Sequence, residues 1–467
     1  MRSVSVWIPS LAGLMLTSGC GDRVRGDGFV IAGAPAESFI RGVPCGDVNG
    51  DGFDDVLVSA SPSSRGGYLI FGKDDEAPVD LAAVAEEGAG GRVIEPGLPD
   101  ASSFSVAALG DLNGDGFVDL AMTSNTDETG VIHVVYGGPA LANPVRPAEL
   151  ASGAGGFTLE APLDEPHASP HVHGVGDVNG DGFADVALGF YSYGAPRSYH
   201  YVVFGGPAPL EPTWAALDAG VGGFRIGVGA AVRLGDINGD GFDDVATYDT
   251  GSYCGGAGVD ITLGGPAPAL APYAERGSVR FDTCARPSPD PAGDINGDGL
   301  ADLVFAEYDG SRAYVLFGSE ALGREPLYLR YPGQGLGDRG FVIEIGEPAQ
   351  GPNDLLYSPL PIVAAGDRDG DGCDDLYLRS LYGAEGSWLV FGKADTAPLV
   401  LADAGLRLDE LHLGAHLDAG SISGVGAIRG RGPDDLVISA PGADRLRAEN
   451  SGRVFVLFDP PDLDGAD

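Results

Sequence analysis

The chain has 467 residues, with 27 basic and 68 acidic side chains and a net charge of −41. So acidic a surface repels phosphate backbones and anionic head groups, which excludes nucleic acid and a charged bilayer surface as partners. Glycine (77) and proline (34) are abundant, yet the apolar fraction of 43% is enough for a large core, as in a turn-rich all-β chain.

Residues 1–20 stand apart. Arg2 precedes an apolar run, Val4 to Leu16, that is too short to cross a bilayer and reads as a signal peptide. It ends Leu16-Thr17-Ser18-Gly19-Cys20, which resembles a bacterial lipobox, with Thr17 in the slot usually held by leucine. That resemblance implies lipidation at Cys20 and a membrane tie through this anchor alone. A plain secretory signal is the alternative, and both imply export. Residues 21–27 form a short polar tether. The Arg25-Gly26-Asp27 tripeptide in it is expected to be coincidence, given how often short motifs match by chance.

The next feature is the segment Asp47-Val48-Asn49-Gly50-Asp51-Gly52-Phe53-Asp54-Asp55. Oxygen-bearing side chains fall at positions one, three, five and nine: Asp47, Asn49, Asp51 and Asp55. Hard oxygen donors at this spacing suit Ca²⁺, which takes 6–8 of them, and Phe53 at position seven would add its carbonyl. Gly50 and Gly52 permit the tight turn that aims alternate side chains at one point.

The pattern recurs five times. The second copy is Asp111, Asn113, Asp115, Phe117 and Asp119; the third is Asp177, Asn179, Asp181, Phe183 and Asp185. The fourth is Asp236, Asn238, Asp240, Phe242 and Asp244; the fifth is Asp294, Asn296, Asp298, Leu300 and Asp302. The sixth is Asp367, Asp369, Asp371, Cys373 and Asp375. Up to six Ca²⁺ are expected, whose twelve positive charges would leave −29 of the −41. Each loop is followed by a short apolar run such as Val56-Leu57-Val58 or Leu303-Val304-Phe305, which reads as a buried strand. An EF-hand would have a helix there and a glutamate at position twelve.

Loop starts are spaced 64, 66, 59, 58 and 73 residues apart. Such a period, with several short strands per unit, indicates a radial array of sheets. One strand enters the loop (Phe104 to Leu109, Ile362 to Ala365), a second leaves it, and a third ends in an aromatic-glycine pair. Those pairs are Phe71-Gly72, Tyr136-Gly137, Phe204-Gly205, Phe317-Gly318 and Phe391-Gly392. A Pro- and Ala-rich crossing then leads to a fourth strand starting near Phe157, Phe224, Phe281 or Phe341. Four antiparallel strands make one propeller blade.

A seventh unit is altered. Alignment of Gly426 with Gly46 puts Ala427, Arg429 and Arg431 at positions one, three and five, and Asp435 at position nine. A metal-free loop is expected, in which Arg429 or Arg431 replaces the cation by pairing with Asp434 or Asp435; decay to a solvated loop is the alternative. This unit has only three strands before Phe458, and an acidic tail, 459–467, follows. The first unit has a spare strand, Gly28 to Ala32. Pairing Phe29-Val30-Ile31 as the outer strand of the last blade completes seven blades and protects both edges.

These loops, their following strands and the aromatic-glycine ends resemble the FG-GAP repeat family, the integrin α-subunit β-propeller and its bacterial relatives, over about residues 28–458. The resemblance implies an all-β, seven-bladed propeller of four-stranded antiparallel blades, with Ca²⁺ between the first and second strands of a blade and ligand binding on the opposite face. This chain departs from the pattern in its six candidate metal loops, and its Gly-Ala-Pro triplet survives clearly only at Gly33-Ala34-Pro35.

No Gly-x-Ser-x-Gly elbow or His-Glu-x-x-His motif occurs, and the expectation is a non-enzyme. His167, His171 and His173 cluster, and could be a transition-metal site or simply the polar face of a strand near the channel. Cys254 and Cys284 are expected to form a disulfide on the non-metal face, while Cys45 and Cys373 are expected to be free thiols. Tyr191, Tyr193, Tyr248, Tyr253, Tyr308 and Tyr382 fall in connections on that face and are a candidate ligand surface; ordinary packing of hairpins is the alternative. The leading expectation is a monomeric, lipid-anchored binding or adhesion module for a protein or glycan. A polysaccharide lyase or hydrolase and a purely structural envelope component are the other readings.

Overall fold

The structure is a computed structural model. It describes residues 28–33, 38–61, 66–98, 101, 103–126, 129–150, 155–161, 169–191, 199–207, 210–226, 230–248, 258–266, 278–281, 289–307, 310–322, 327–329, 336–346, 362–380, 386–407, 421–430, 435–440 and 452–458. The signal-like segment with Cys20, the tether and the acidic tail lie outside these residues.

The described strands form seven sheets, each with four antiparallel strands at its heart. Blade one is Ser38–Gly46, Asp55–Ser61, Gly67–Ile70 and Gly91–Ile94. Blade two is Ser103–Gly110, Asp119–Asn125, Gly130–Val135 and Gly156–Glu160. Blade three is Ser169–Gly176, Asp185–Tyr191, Tyr199–Val203 and Gly223–Arg225. Blade four is Ala230–Gly235, Asp244–Tyr248, Gly258–Thr262 and Ser278–Phe281. Blade five is Pro289–Gly293, Asp302–Ala306, Arg312–Leu316 and Gly340–Glu344. Blade six is Ile362–Gly366, Asp375–Ser380, Gly386–Val390 and Leu406–Arg407. Blade seven takes Ser421–Gly426, Asp435–Ala440 and Arg453–Leu457 from the end of the chain and Gly28–Ala32 from its beginning. The closing pair is antiparallel, with Phe29 opposite Val456 and Ile31 opposite Val454.

The strand after each loop carries consecutive apolar residues behind its first aspartate, such as Val56-Leu57-Val58, because both its faces are covered. Val56 and Val58 pack toward blade seven, whereas Leu57 between them packs toward blade two. The period of two in a strand produces this alternation. Six apolar clusters fill the interfaces from blade seven/one round to blade five/six. No single central core is needed, since each interface buries the faces of two sheets.

One expected strand start differs. Phe157, Phe224 and Phe341 each stand second in their strands, behind a glycine whose Cβ would collide with a carbonyl of the third strand. Phe281 instead ends its strand, Ser278–Phe281, with Arg280 rather than glycine before it.

The crossings between third and fourth strands do more than connect. Val79–Asp80 adds in parallel to Gly28–Ala32 of the preceding blade, Leu327–Leu329 to Ser278–Phe281, and Leu399–Val400 to Gly340–Glu344. Val145 bridges Ile94 in the same sense, and the Trp214 indole donates to the Glu160 carbonyl at 3.0 Å. Each crossing thereby covers the outer edge of the blade before it, where unpaired backbone groups would otherwise be open to another chain.

Candidate metal centre

Each acidic loop joins the first strand of a blade to the second, so all six open on one face of the ring. In loop one, Asp47 Oδ1 accepts from the amides of Gly50 at 2.6 Å and Asp51 at 3.2 Å, and its Oδ2 accepts from Gly52 at 2.9 Å. Asp51 Oδ1 accepts from the Phe53 amide at 3.0 Å, and Asn49 Nδ2 donates to Asp51 Oδ2 at 2.9 Å. Gly50 and Gly52 have φ of 80° and 89°, a region that a side chain disfavours. The amide of each position-seven residue donates to the aspartate at position five: Phe117 to Asp115, Phe183 to Asp181, Phe242 to Asp240, Leu300 to Asp298 and Cys373 to Asp371.

Position nine is the fixed point. Asp55, Asp119, Asp185, Asp244, Asp302 and Asp375 are all 0% exposed. Asp55 accepts from the Val48 amide at 3.0 Å and from the Gly72 amide at 3.0 Å. The second donor is the glycine of the aromatic-glycine pair, and it recurs as Gly137, Gly205, Gly318 and Gly392. In blade four the pair is Leu263-Gly264, and Gly264 donates to Asp244 at 2.7 Å. The aliphatic residue before it hides Gly264 from the aromatic-glycine pattern. Its equivalent spacing from the loop was the available signal.

Burial pushes the position-nine acids of loops one to five up to about 7 and that of loop six to about 6; the negative charges at positions five and one, or three and one in loop six, add to the effect. Buried acids facing further acids are a donor set short of a positive charge. In loop six the ligand oxygens of Asp367, Asp369 and Asp375 lie within 4.8 Å of one another. In loop four Asn238 is 2% exposed, and its Oδ1 has no hydrogen-bond partner. These observations fit a hard divalent cation held by positions one, three, five and nine.

The loops are also linked to one another. The amide at position eight donates to the carbonyl at position one of the preceding loop: Val118 to Asp47 (3.1 Å), Ala184 to Asp111 (2.9 Å), Asp243 to Asp177 (3.1 Å), Ala301 to Asp236 (3.0 Å) and Asp374 to Asp294 (2.8 Å). Three position-eight acids add a side-chain bond, with Asp54, Asp243 and Asp374 accepting from the amides of Ala427, Asp177 and Asp294. The position-seven side chain lies against the position-four glycine of the preceding loop. A Cβ at Gly50 would collide with the Phe117 ring, at Gly114 with Phe183, and at Gly180 with Phe242. Position-four glycine thus serves the neighbouring blade as well as its own turn.

In loop seven the Arg429 amide donates to Asp435 Oδ2 at 2.7 Å, and Arg429 Nε lies 3.6 Å from Asp435 Oδ1. Asp435 is fully buried, and the guanidinium sits 5.2 Å from the centre of the Phe458 ring. Of the pairings foreseen for this loop, Arg429 with Asp435 is the one formed among the described residues; Arg431 and Asp434 fall outside them. The loop still docks on loop one, since Asp54 donates through its amide to the Ala427 carbonyl at 3.0 Å.

Cys45 and Cys373 are free thiols. Cys254, Cys284, His167, Tyr193, Tyr253, Tyr308 and Tyr382 lie outside the described residues. Tyr191 ends a strand of blade three, and Tyr248 is half-buried against the cluster between blades four and five. His171 and His173 are on the innermost strand of blade three and are exposed. No helix among the described residues is long and apolar enough to cross a membrane.

Fold and loops define a seven-bladed propeller whose repeated acidic hairpins share one face. The FG-GAP repeat model matches residues 104–135, from the first strand of blade two through its loop to the third. Integrin alpha-PS2 of Drosophila melanogaster is 30% identical over 175 residues, 33% of this chain and 12% of that one. Integrin alpha-7 of Mus musculus is 30% identical over 129 residues, 25% of this chain and 10% of that one. Most of either integrin chain therefore lies outside the match. Among solved structures, the Dos1 propeller covers 93% of each chain at 8% identity, with a TM-score of 0.40. The protein is a seven-bladed β-propeller with an FG-GAP repeat match in its second blade, similar in sequence to integrin α subunits over a quarter to a third of its length.

Proposed function

We propose that the protein is an exported, Ca²⁺-stabilised propeller that serves as a binding or adhesion module at the cell envelope, tied to the membrane through a lipid on Cys20. As many as six Ca²⁺ are held, each by the side chains at positions one, three, five and nine and the carbonyl at position seven. The carrying observation is the wholly buried aspartate of each loop, raised toward neutrality by burial and facing two or three further oxygen donors. Bound Ca²⁺ supplies the missing positive charge and joins the first two strands of a blade.

The module is non-catalytic. Each position-nine acid is already occupied by two main-chain amides, and a cation takes up much of the remaining donor set, leaving little coordination for a substrate. The 30% identity to integrin alpha-PS2 supports a role in contact with a protein or glycan partner. Envelope extract passed over the immobilised chain with and without Ca²⁺ tests the binding role: a partner retained only with Ca²⁺ is expected, and equal retention of all proteins in EDTA counts against it. Palmitate label incorporated by the wild type and lost in Cys20→Ser tests the anchor; an unlabelled wild type refutes it.

A further inference from the structure

Away from the acidic loops, the interface of blades three and four turns polar. Strand pairing puts His171, Gly189 and His200 in one row of blade three. Directly paired residues share a face of the sheet, so both imidazoles are on one side with only glycine between them. Ala187, Val202 and Phe224, in the next row of the same face, pack with Ala231 and Val245 of blade four. That face is therefore the one turned toward blade four. The facing row there is Ala231, Thr247 and Asp260.

Two features of this polar layer, both buried polar atoms without a partner, point to a ligand beside a buried carboxylate. His200 is 3% exposed, yet its Nε2 has no hydrogen-bond partner. Thr247 is 1% exposed, and its Oγ1 has none either. Asp260, a carboxylate only 8% exposed, shares that row. Buried polar atoms normally have a partner. Burial also holds the His200 imidazole neutral by lowering it to about 4, with smaller contributions from His171 and Arg225. A neutral imidazole keeps the lone pair that a metal needs.

We propose that this interface binds one imidazole-preferring divalent transition-metal ion, of the Zn²⁺, Cu²⁺ or Ni²⁺ class, anchored on His171 and His200 and faced by Asp260. Nitrogen donors select these ions over Ca²⁺. Two strand spacings separate the histidine backbones by about 9.6 Å. Two rings leaning over Gly189, with metal–nitrogen bonds of about 2 Å each, close that span. Among the described residues, three ligand atoms already converge only at Asp367, Asp369 and Asp375. Water completes the coordination here.

The test is calorimetric titration of Zn²⁺ into the full chain saturated with Ca²⁺, which blocks the acidic loops. One equivalent is expected, at least about tenfold weaker in His200→Gln and in His171→Gln, and unchanged in His173→Gln. Spectra of the Cu²⁺-loaded protein should show two nitrogen ligands. No Zn²⁺ uptake, uptake undiminished in either variant, or an all-oxygen Cu²⁺ spectrum overturns the proposal. Should His200→Gln fail to fold, His171→Gln, whose side chain is exposed, carries the decision.

Discussion

The amide of Gly72 donates to the buried carboxylate of Asp55 at 3.0 Å. This bond ties the end of the third strand of a blade to the metal loop between its first two. It explains why the aromatic-glycine pair and the acidic loop occur together in the repeat: a Cβ at Gly72 would strike the Asp54 carbonyl and spoil the approach. In blade two, Asp119→Ala should orphan the amides of Leu112 and Gly137. Each orphan costs about 1–3 kcal/mol. Urea unfolding in EDTA should show the loss even with no metal present, and an unchanged midpoint would detach Asp119 from the fold.

The two glycines of a loop should respond differently to alanine. Gly52→Ala meets only the strain of φ near 90°, since no atom lies within 4 Å of its Cβ position. Gly50→Ala meets comparable strain and also displaces the Phe117 ring of the next blade. Strain at such a φ costs of the order of 1 kcal/mol, and overpacking adds about 1–3 kcal/mol. Thermal melts should rank Gly50→Ala well below Gly52→Ala; equal melting temperatures would show that the blade contact is unimportant.

Loop seven should behave as a loop whose cation is covalently built in. Arg429→Met leaves the fully buried Asp435 without its positive partner. Removing one member of a buried pair costs about 3–5 kcal/mol. The loss should be the same with Ca²⁺ or with EDTA, because this loop lacks the donors to bind the ion. A deficit that Ca²⁺ repairs would show that loop seven is still a metal site.

Deleting residues 28–33 should destabilise the whole ring. It removes the outer strand of blade seven and exposes Val454 and Val456, both 0% exposed in the intact fold. One cooperative transition at a much lower temperature is expected by calorimetry, and an unaltered melting temperature would refute closure by this strand.

Acidity should affect the metal-free protein in an unusual direction. Asp55, Asp119, Asp185, Asp244 and Asp302 stand at about 7 when folded, against 3.8 for the ordinary acid. A raised acid holds its proton more tightly folded than unfolded. Its contribution is full below about pH 3.8 and lost as pH rises through about 7. Burial lowers His133, His173 and His200 to about 4, which opposes this by costing stability as pH falls from 6.5 toward 4. The acids outnumber the histidines, so in EDTA the melting temperature should fall between pH 5 and pH 8. Saturating Ca²⁺, which replaces the proton, should abolish or reverse that fall.

Much of this architecture could be read from the residues. The spacing of Asp47, Asn49, Asp51 and Asp55, repeated with a strand after each copy, was enough to infer blades, and the spare strand at Phe29 was enough to infer how the ring closes. What stayed hidden joins different repeats. Nothing in the order of residues says that Phe117 rests on Gly50, that the Val118 amide reaches Asp47, or that Val79 extends the sheet of the last blade. Those contacts arise from the twist between neighbouring sheets, which a single unit does not specify. For the same reason the packing role of Phe117, Phe183 and Phe242 on the preceding loop is invisible within one unit, whose sequence shows only a carbonyl ligand at that position.

Thermal unfolding of the chain at pH 7.5, once with millimolar Ca²⁺ and once with EDTA, bears most directly on the metal loops. Ligand that binds only the folded state stabilises it by mass action, and several sites act together. A large rise in melting temperature with Ca²⁺, shrinking when Asp119 or Asp185 is changed to asparagine, is the expected outcome. Coincident melting curves in Ca²⁺ and EDTA would contradict the assignment of these loops as cation sites.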